Sequence, residues 1–500
     1  MNINSFPPEI LSQILNHAVA YNLRDGVSFT FGLSQAPQPG RRARLERYVR
    51  GPNHLRAWDA ASPLRHVCSL WHEWAVTNSV KDVYVRKRQG SERWAELSHN
   101  RAAYGSYELM DQSKLTGCYV YRDPFTPLQQ TKGLFESHAM LASSVQRLWI
   151  HGFNGFENST DVANIVRACS GLVAISLPWT LLRYLTASDW VRLLRHGSDN
   201  PLVSLEFLSV DLQEAQTNDP QNRANFRALQ DSRVNFGSLK RLKLFGDSTF
   251  MPITDDDLFA ISATASGLEE FHMTCTSSIT INGVMSILKA SQSTLRVLEH
   301  APRSQDGFDH PHPGSLADGE HICEVLTSCP NLRDLSISVP TMCADLFSNE
   351  NVRWKGECQV RAAHLCPEAL SHAKRQLQQK PTKPRGKSSR DPSQLALASL
   401  LVQSRNLINA CNRLRDHDPL SIEIFFSDYI FEPHARSVHG YFEPAETVSH
   451  GLWPQLKAPS GKGPYGSTGL YGKGEEGVYD RIDEEEFLKG LEGDWIRIND

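Results

Sequence analysis

The strongest constraint in this chain is a spacing. Leu-x-x-Leu-x-Leu, or a close apolar variant of it, returns seven times between Val145 and Ile337. The instances begin at Val145-x-x-Leu148-x-Ile150 and Leu172-x-x-Ile175-x-Leu177. They continue through Leu202-x-x-Leu205-x-Phe207, Leu239-x-x-Leu242-x-Leu244 and Leu268-x-x-Phe271-x-Met273. They end at Leu295-x-x-Leu298-x-His300 and Leu332-x-x-Leu335-x-Ile337. The central apolar residues lie 27, 30, 37, 29, 27 and 37 positions apart. Between them, helix-spaced apolar residues run over 161–168, 188–196, 222–230, 255–265, 281–290 and 316–327. One such hexad is common in any helix and carries no weight; seven in series predict a repeated strand–helix unit.

Geometry accounts for the spacing. Alternate residues of a strand face opposite sides, so the last two apolar positions of each hexad point into one core. The expected inward set is Leu148, Ile150, Ile175, Leu177, Leu205, Phe207, Leu242, Leu244, Phe271, Met273, Leu298, Leu335 and Ile337. A strand–helix unit is wider on its helix side, so stacked units curve. The predicted class is therefore α/β, a leucine-rich-repeat solenoid (horseshoe) with parallel strands on the concave face. A doubly wound sheet would need a ligand-binding glycine turn after its first strand, and none is visible. The residues flanked by the inward pairs are Trp149, Ser176, Glu206, Lys243, His272, Glu299 and Ser336, with Arg147, Arg241, Glu270 and Asp334 beside them. These are expected to face solvent. Their mixed charge suits a protein client better than nucleic acid. The client-binding candidates are Arg147, Trp149, Arg241, Lys243, Glu270, His272 and Glu299, with Trp149 the expected hot spot.

Composition fits a protein of a reducing compartment. Ten cysteines are spread through 500 residues without a Cys-x-x-Cys pair. They read as reduced, buried small hydrophobes, Cys169 and Cys323 among them. No signal-peptide pattern opens the sequence and no stretch approaches a membrane span, so a cytoplasmic or nuclear, non-secreted protein is expected, with no membrane partner. The formal charge of −4 conceals a basic run over 374–390 with seven Lys or Arg and an acidic end over 475–500 with ten Asp or Glu. The basic run reads as a solvated linker.

Two short segments ahead of the repeats remain. Phe6-Pro7-Pro8-Glu9-Ile10-Leu11 continues through Ile14, Leu15, Ala18 and Val19 as a one-sided helical stripe. Prolines suit the first turn of such a helix. Leu64, Val67, Cys68, Trp71, Trp74 and Ala75 form a second stripe, predicted as one helix over 64–76. Between them lies a Gly-, Pro- and Arg-bearing insertion at about residues 21–62, with one helix expected near 42–49.

These two segments resemble the start and end of an F-box, whose pattern opens on a Leu-Pro-x-Glu-Ile-Leu-like stretch and closes on a Val-Cys-x-x-Trp-like helix. Here Phe6 stands for the first leucine, and the insertion separates the halves. The later hexads resemble the leucine-rich repeats that often accompany an F-box. The resemblance implies a small all-α module that binds a Skp1-type adaptor and, through it, a cullin scaffold. The repeats would hold a protein client for ubiquitination, and the chain itself would do no chemistry. The matching adaptor-facing positions are Pro8, Glu9, Ile10, Leu11, Ile14, Leu64, Val67, Cys68 and Trp71. The same residues could simply fill a small helical core. One apolar patch containing Ile10, Leu11 and Trp71 is expected, with Leu11→Asp as its disrupting change.

The resulting organisation is a helical module over 1–80, a connector or cap over 81–143, repeats over 144–373 and a basic linker over 374–392. A helix–strand unit follows over 393–452, then a tail over 453–500 that is largely disordered by composition. A helix is expected within 359–379, and another within 479–491. No catalytic, cofactor or metal site is nominated. Ser467 to Gly474 lacks the glycine and hydroxyl of a phosphate loop, and His310 and His312 lack partners with metal-ligand spacing. Asp255-Asp256-Asp257 reads as an acidic helix start. The alternatives to a ligase receptor are a non-ligase scaffold that uses the repeats alone, and an enzyme with an unrecognised site.

Overall fold

The structure is a computed structural model. It describes residues 6–22, 62–86, 110–112, 119–121, 125–153, 155–209, 227–246, 253–273, 279–300, 320–355, 357–365, 392–413, 420–426, 429–432, 441–444 and 482–483, with positions 3, 370, 374, 375 and 489. The chain is mixed α/β and divides into two compact units, Met1–Val234 and Asn235–Asp500. Among the described residues no helix is long and apolar enough to cross a membrane.

The first unit opens with α1 (Pro8–Asn22), a 3-10 turn (Ser62–His66) and α2 (Ser69–Ser79). The stripe over 64–76 is thus broken into a turn and a helix rather than one helix. The break falls at Val67–Cys68, where the Val67 N–H bonds back three residues to the Leu64 carbonyl and α2 starts afresh. Then come β1 (Asp82–Arg86), the antiparallel pair β2 (Met110–Gln112) and β3 (Tyr119–Tyr121), α3 (Thr126–Ser137) and α4 (Ala139–Ser144). The remainder alternates: β4 (Arg147–His151), α5 (Ser159–Ala168), β5 (Ala174–Pro178), α6 (Leu181–Tyr184), α7 (Ala187–Leu194) and β6 (Ser204–Ser209). Strands β1, β4, β5 and β6 are parallel neighbours in that order, with Val83, Leu148, Ile175 and Leu205 in one register row. The segment over 81–143, expected as a connector or cap, contributes β1, which lies beside β4 at the end of the strand order, together with α3 and α4.

The second unit repeats the theme with β7 (Arg241–Gly246), α8 (Asp255–Ser262), β8 (Glu270–Met273), α9 (Ile281–Ala290), β9 (Val297–His300), α10 (Ile322–Thr327) and β10 (Asp334–Met342). It continues through β11 (Glu357–Leu365), α11 (Pro392–Asn412) and β12 (Ser421–Phe426). Strands β7 to β12 are parallel neighbours in chain order. Antiparallel β13 (Tyr429–Glu432), β14 (Tyr441–Pro444) and β15 (Ile482–Asp483) complete the edge. Two expectations are corrected here. Residues 357–365 form a strand where a helix was expected, with Cys358, Val360 and Ala362 buried at alternate positions. Ile482–Asp483 pair with β14 as a strand inside the expected 479–491 helix. The helix near 42–49, most of the insertion, the 310–313 loop and the 455–478 tail lie outside the described residues.

The thirteen expected inward residues are all at most 1% exposed. His300 occupies the next inward position of β9, in register between Met273 and Ile337, and is fully buried. The leading residue of each hexad is buried as well, from Val145 to Leu332. The residue after it extends the ladder. The Glu269 N–H donates to the Lys240 carbonyl (2.7 Å), Arg296 to Glu269 (2.8 Å), and Arg333 to Arg296 (2.8 Å). Each turn into a strand is thereby stacked on the turn before it, which is why the first apolar residue of the hexad can plug the core.

Helix starts are set by local chemistry. Thr186 and Asp189 form a reciprocal capping box on α7, Thr254 and Asp257 one on α8, and Thr280 caps α9 by accepting from the Asn282 N–H (3.2 Å). Arg195 ends α7 in the left-handed region at φ 46° and donates to the carbonyls of Ser170 and Leu172. Trp190 and Phe207 meet edge-on at 6.2 Å in the core of the first unit.

Candidate protein-interaction site

The split helical module closes on itself. Leu11, Leu15, Leu64 and Ala75 form one buried cluster, with Ala18, Val19, Trp71 and Trp74 packed against it. The Trp74 indole N–H donates to Ser12 Oγ at 2.9 Å, joining α1 to α2 across 62 positions of sequence. The His72 ring accompanies it, with Nδ1 3.2 Å from the Arg65 carbonyl of the preceding turn. Two tryptophans on one short helix thus close a small core, and each segment supplies what the other lacks.

Alongside exposed polar residues, the described part of the module leaves large apolar side chains in water. Phe6 is 37% exposed, Ile10 41%, Val67 56% and Leu70 46%. Single exposed apolar residues are ordinary; these four lie on two segments that share one core. The nine adaptor-facing candidates divide accordingly. Pro8, Glu9, Ile10 and Val67 are exposed, Ile14, Cys68 and Trp71 are half-buried, and Leu11 and Leu64 are core. The expected patch of Ile10, Leu11 and Trp71 is corrected for Leu11, which at 4% exposure points inward. Leu11→Asp would unfold the module rather than probe its surface.

The expectation of a solvent-facing row on the repeats is corrected in the same way. Trp149, Ser176, Arg241, Lys243, Glu270, His272 and Ser336 are buried, Glu206, Glu299 and Asp334 are half-buried, and Arg147 alone is exposed. Alternation puts these side chains on the second face of the sheet, but it does not say that water covers that face. In β7 to β9 the charges lie along the sheet and satisfy one another. Arg241 Nε–H donates to Glu270 Oε2 at 2.9 Å. The His272 ring stands between two carboxylates, with Nε2 3.3 Å from Glu270 Oε2 and Nδ1 2.8 Å from Glu299 Oε2. Burial pushes the Glu270 carboxyl up, and His272 and Arg241 together pull it back below its ordinary range. Removing one member of such a network strands a buried charge. Trp149 sits in register with Tyr84 of β1, the strand that sequence reading missed, so it is an internal position and not the first edge of the sheet.

A cavity of about 180 Å³ in the first unit is lined by Arg167, Cys169, Asp189, Arg192 and Arg195. Burial pushes the Cys169 thiol up to about 12, the opposite of an activated nucleophile. Against the expectation that no metal site exists, His321, Cys323 and Cys343 bring their donor atoms within 4.8 Å of one another. The sequence signal for this group is faint, a His-x-Cys and a Cys-x-Asp about twenty positions apart without the Cys-x-x-Cys that usually announces a site. A scan against protein-family models and a search of curated proteins both find no match to this chain.

Proposed function

We propose that this chain is the substrate-recognition subunit of a cullin-based ubiquitin ligase. Its helical module is an F-box that docks a Skp1-type adaptor, and its strand–helix units are leucine-rich repeats that hold a protein client. The observation that carries the reading is the closure of the split module. Two segments some forty positions apart, each bearing half of an F-box-like pattern, share one core while Phe6, Ile10, Val67 and Leu70 stay exposed. An apolar surface continuous with a small core is what a stable interface is built on. The buried charged row leaves Arg147, Glu206, Glu299 and Asp334 as the accessible part of the proposed client surface.

The test is co-purification of the full chain with a Skp1-type adaptor. Ile10→Asp and Val67→Asp alter exposed side chains, so the module stays folded while adaptor affinity falls about tenfold or more. Absence of adaptor binding by the folded unmodified chain favours the alternative of a scaffold that works through the repeats alone. Undiminished binding in both variants removes the assigned face.

A further inference from the structure

We propose that the second unit contains a zinc site formed by His321, Cys323 and Cys343. The residues come from two places that the fold brings together. His321 precedes α10 and Cys323 is its second residue. Cys343 follows the end of β10 and opens the short 3-10 turn Ala344–Phe347, in which Asp345 is the second residue. Neither cysteine is in a disulfide and both are buried, Cys323 at 0% and Cys343 at 4% exposure, whereas the Asp345 side chain is 69% exposed.

The distances suit a tetrahedral ion. Zinc–sulfur bonds of about 2.3 Å and zinc–nitrogen bonds of about 2.0 Å give a sulfur–nitrogen edge of roughly 3.5 Å in a regular tetrahedron. Cys343 Sγ lies 3.6 Å from His321 Nδ1 and 3.6 Å from Asp345 Oδ2. That separation also fits a thiol–imidazole hydrogen bond, so the convergence of Cys323 on the same point is what singles out an ion. The other ring nitrogen supports the same assignment. His321 Nε2 faces Glu324 Oε1 at 3.6 Å. A metal-bound histidine characteristically turns its second N–H toward a carboxylate, which fixes the tautomer and strengthens the ligand. Two thiolates favour zinc over magnesium or calcium, and the ion would take its fourth ligand from solvent. It clips the start of α10 to the end of β10.

The experiment uses the full chain, purified with thiols kept reduced, stripped of metal and titrated with zinc(II) or cobalt(II). About one zinc per chain is expected, and the cobalt form should show thiolate-to-cobalt charge-transfer absorption with tetrahedral d–d bands. Cys343→Ser and His321→Asn lose the bound metal and those bands, whereas Cys329→Ser keeps both. Glu324→Gln retains the site with affinity lowered by about tenfold or more. His321→Asn preserves both buried thiols, so its circular dichroism separates loss of metal from loss of fold if Cys343→Ser misfolds. The proposal is overturned if the reduced chain takes up no stoichiometric zinc. It is equally overturned if folded His321→Asn binds cobalt with unchanged bands, or if protein isolated with its thiols blocked carries a Cys323–Cys343 disulfide.

Discussion

At the scale of single residues, the second unit depends on a glycine where helix propensity argues for alanine. Gly283 lies inside α9, where glycine costs about 1 kcal/mol relative to alanine. A Cβ there would fall 2.4 Å from Asp255 Oδ1 and 3.2 Å from Leu258 Cδ1. Asp255 cannot simply swing away, because it accepts from the Thr280 N–H at 2.7 Å and the Thr280 hydroxyl at 2.6 Å. It thereby ties the first turn of α8 to the N-cap of α9. Hydrogen bonds to a charged acceptor contribute about 1.5–3 kcal/mol, so losing them outweighs the propensity gain. Gly283→Ala should therefore destabilise the chain by about 1–2 kcal/mol in urea unfolding, and a stabilised variant would contradict the contact. The three aspartates over 255–257 were legible as an acidic helix start. Their division of labour was not, because Asp257 closes the box with Thr254 while Asp255 reaches the next repeat.

Among elements, the junction of α5 and α7 shows how charge fixes neighbouring helices. Arg167 donates to both oxygens of Asp189, Nε to Oδ1 at 2.8 Å and Nη2 to Oδ2 at 2.9 Å. The same carboxylate receives the Thr186 N–H and hydroxyl in the α7 capping box. The Arg167 hydrogen bonds hold the Asp189 carboxyl down at about 2, against an ordinary value of 3.8, with burial opposing and Thr186 assisting. A depressed folded-state pKa stabilises wherever the unfolded carboxylate is also charged, so the contribution is complete above about 4 and is lost as pH falls toward about 2. Asp189→Asn should cost about 1 kcal/mol at neutral pH, a figure held low because Arg167 is partly solvated. The gap between the two proteins should close over that acid window in pH-dependent denaturation; a gap independent of pH would assign the cost to something other than the carboxylate. Element type was legible where apolar residues were large and regularly spaced, as in β4 to β10. It failed at β11, where Glu, Gln, Arg and Ala are good helix formers and small Cys358 and Ala362 mark the alternation faintly. Pairing with β10 and β12 overrides that propensity. It missed β1 although Val80-x-x-Val83-x-Val85 keeps the hexad spacing, because three valines in place of leucines made a single early instance easy to pass over.

For the whole molecule, what sequence pattern conveys is which residues want to be dry, and what it withholds is which distant segments meet to dry them. The inward row could be read because strand alternation is local. The burial of Trp149, Arg241 and His272 could not, since it depends on what faces the other side of the sheet. Likewise the two stripes of the helical module were visible separately, while the Trp74–Ser12 hydrogen bond that joins them spans 62 positions and no local rule reports it. The cluster of Leu11, Leu15, Leu64 and Ala75 is small, so each member matters disproportionately. Leu15 is fully buried, and Leu15→Ala should cost the module roughly 2–5 kcal/mol, which a core of this size cannot absorb. Strand–helix units bury their apolar faces mainly against immediate neighbours, so the loss should not travel far along the chain. In hydrogen exchange, Leu15→Ala should release the amides of α1 and α2 while those of β8, β9 and β10 keep their protection. Under the proposed function, the same variant should also lose binding to a Skp1-type adaptor while remaining largely folded in circular dichroism. Uniform loss of protection from α1 through β10 would instead mean that the module and the repeats unfold as one cooperative body, and the division between a docking end and a holding end would not stand.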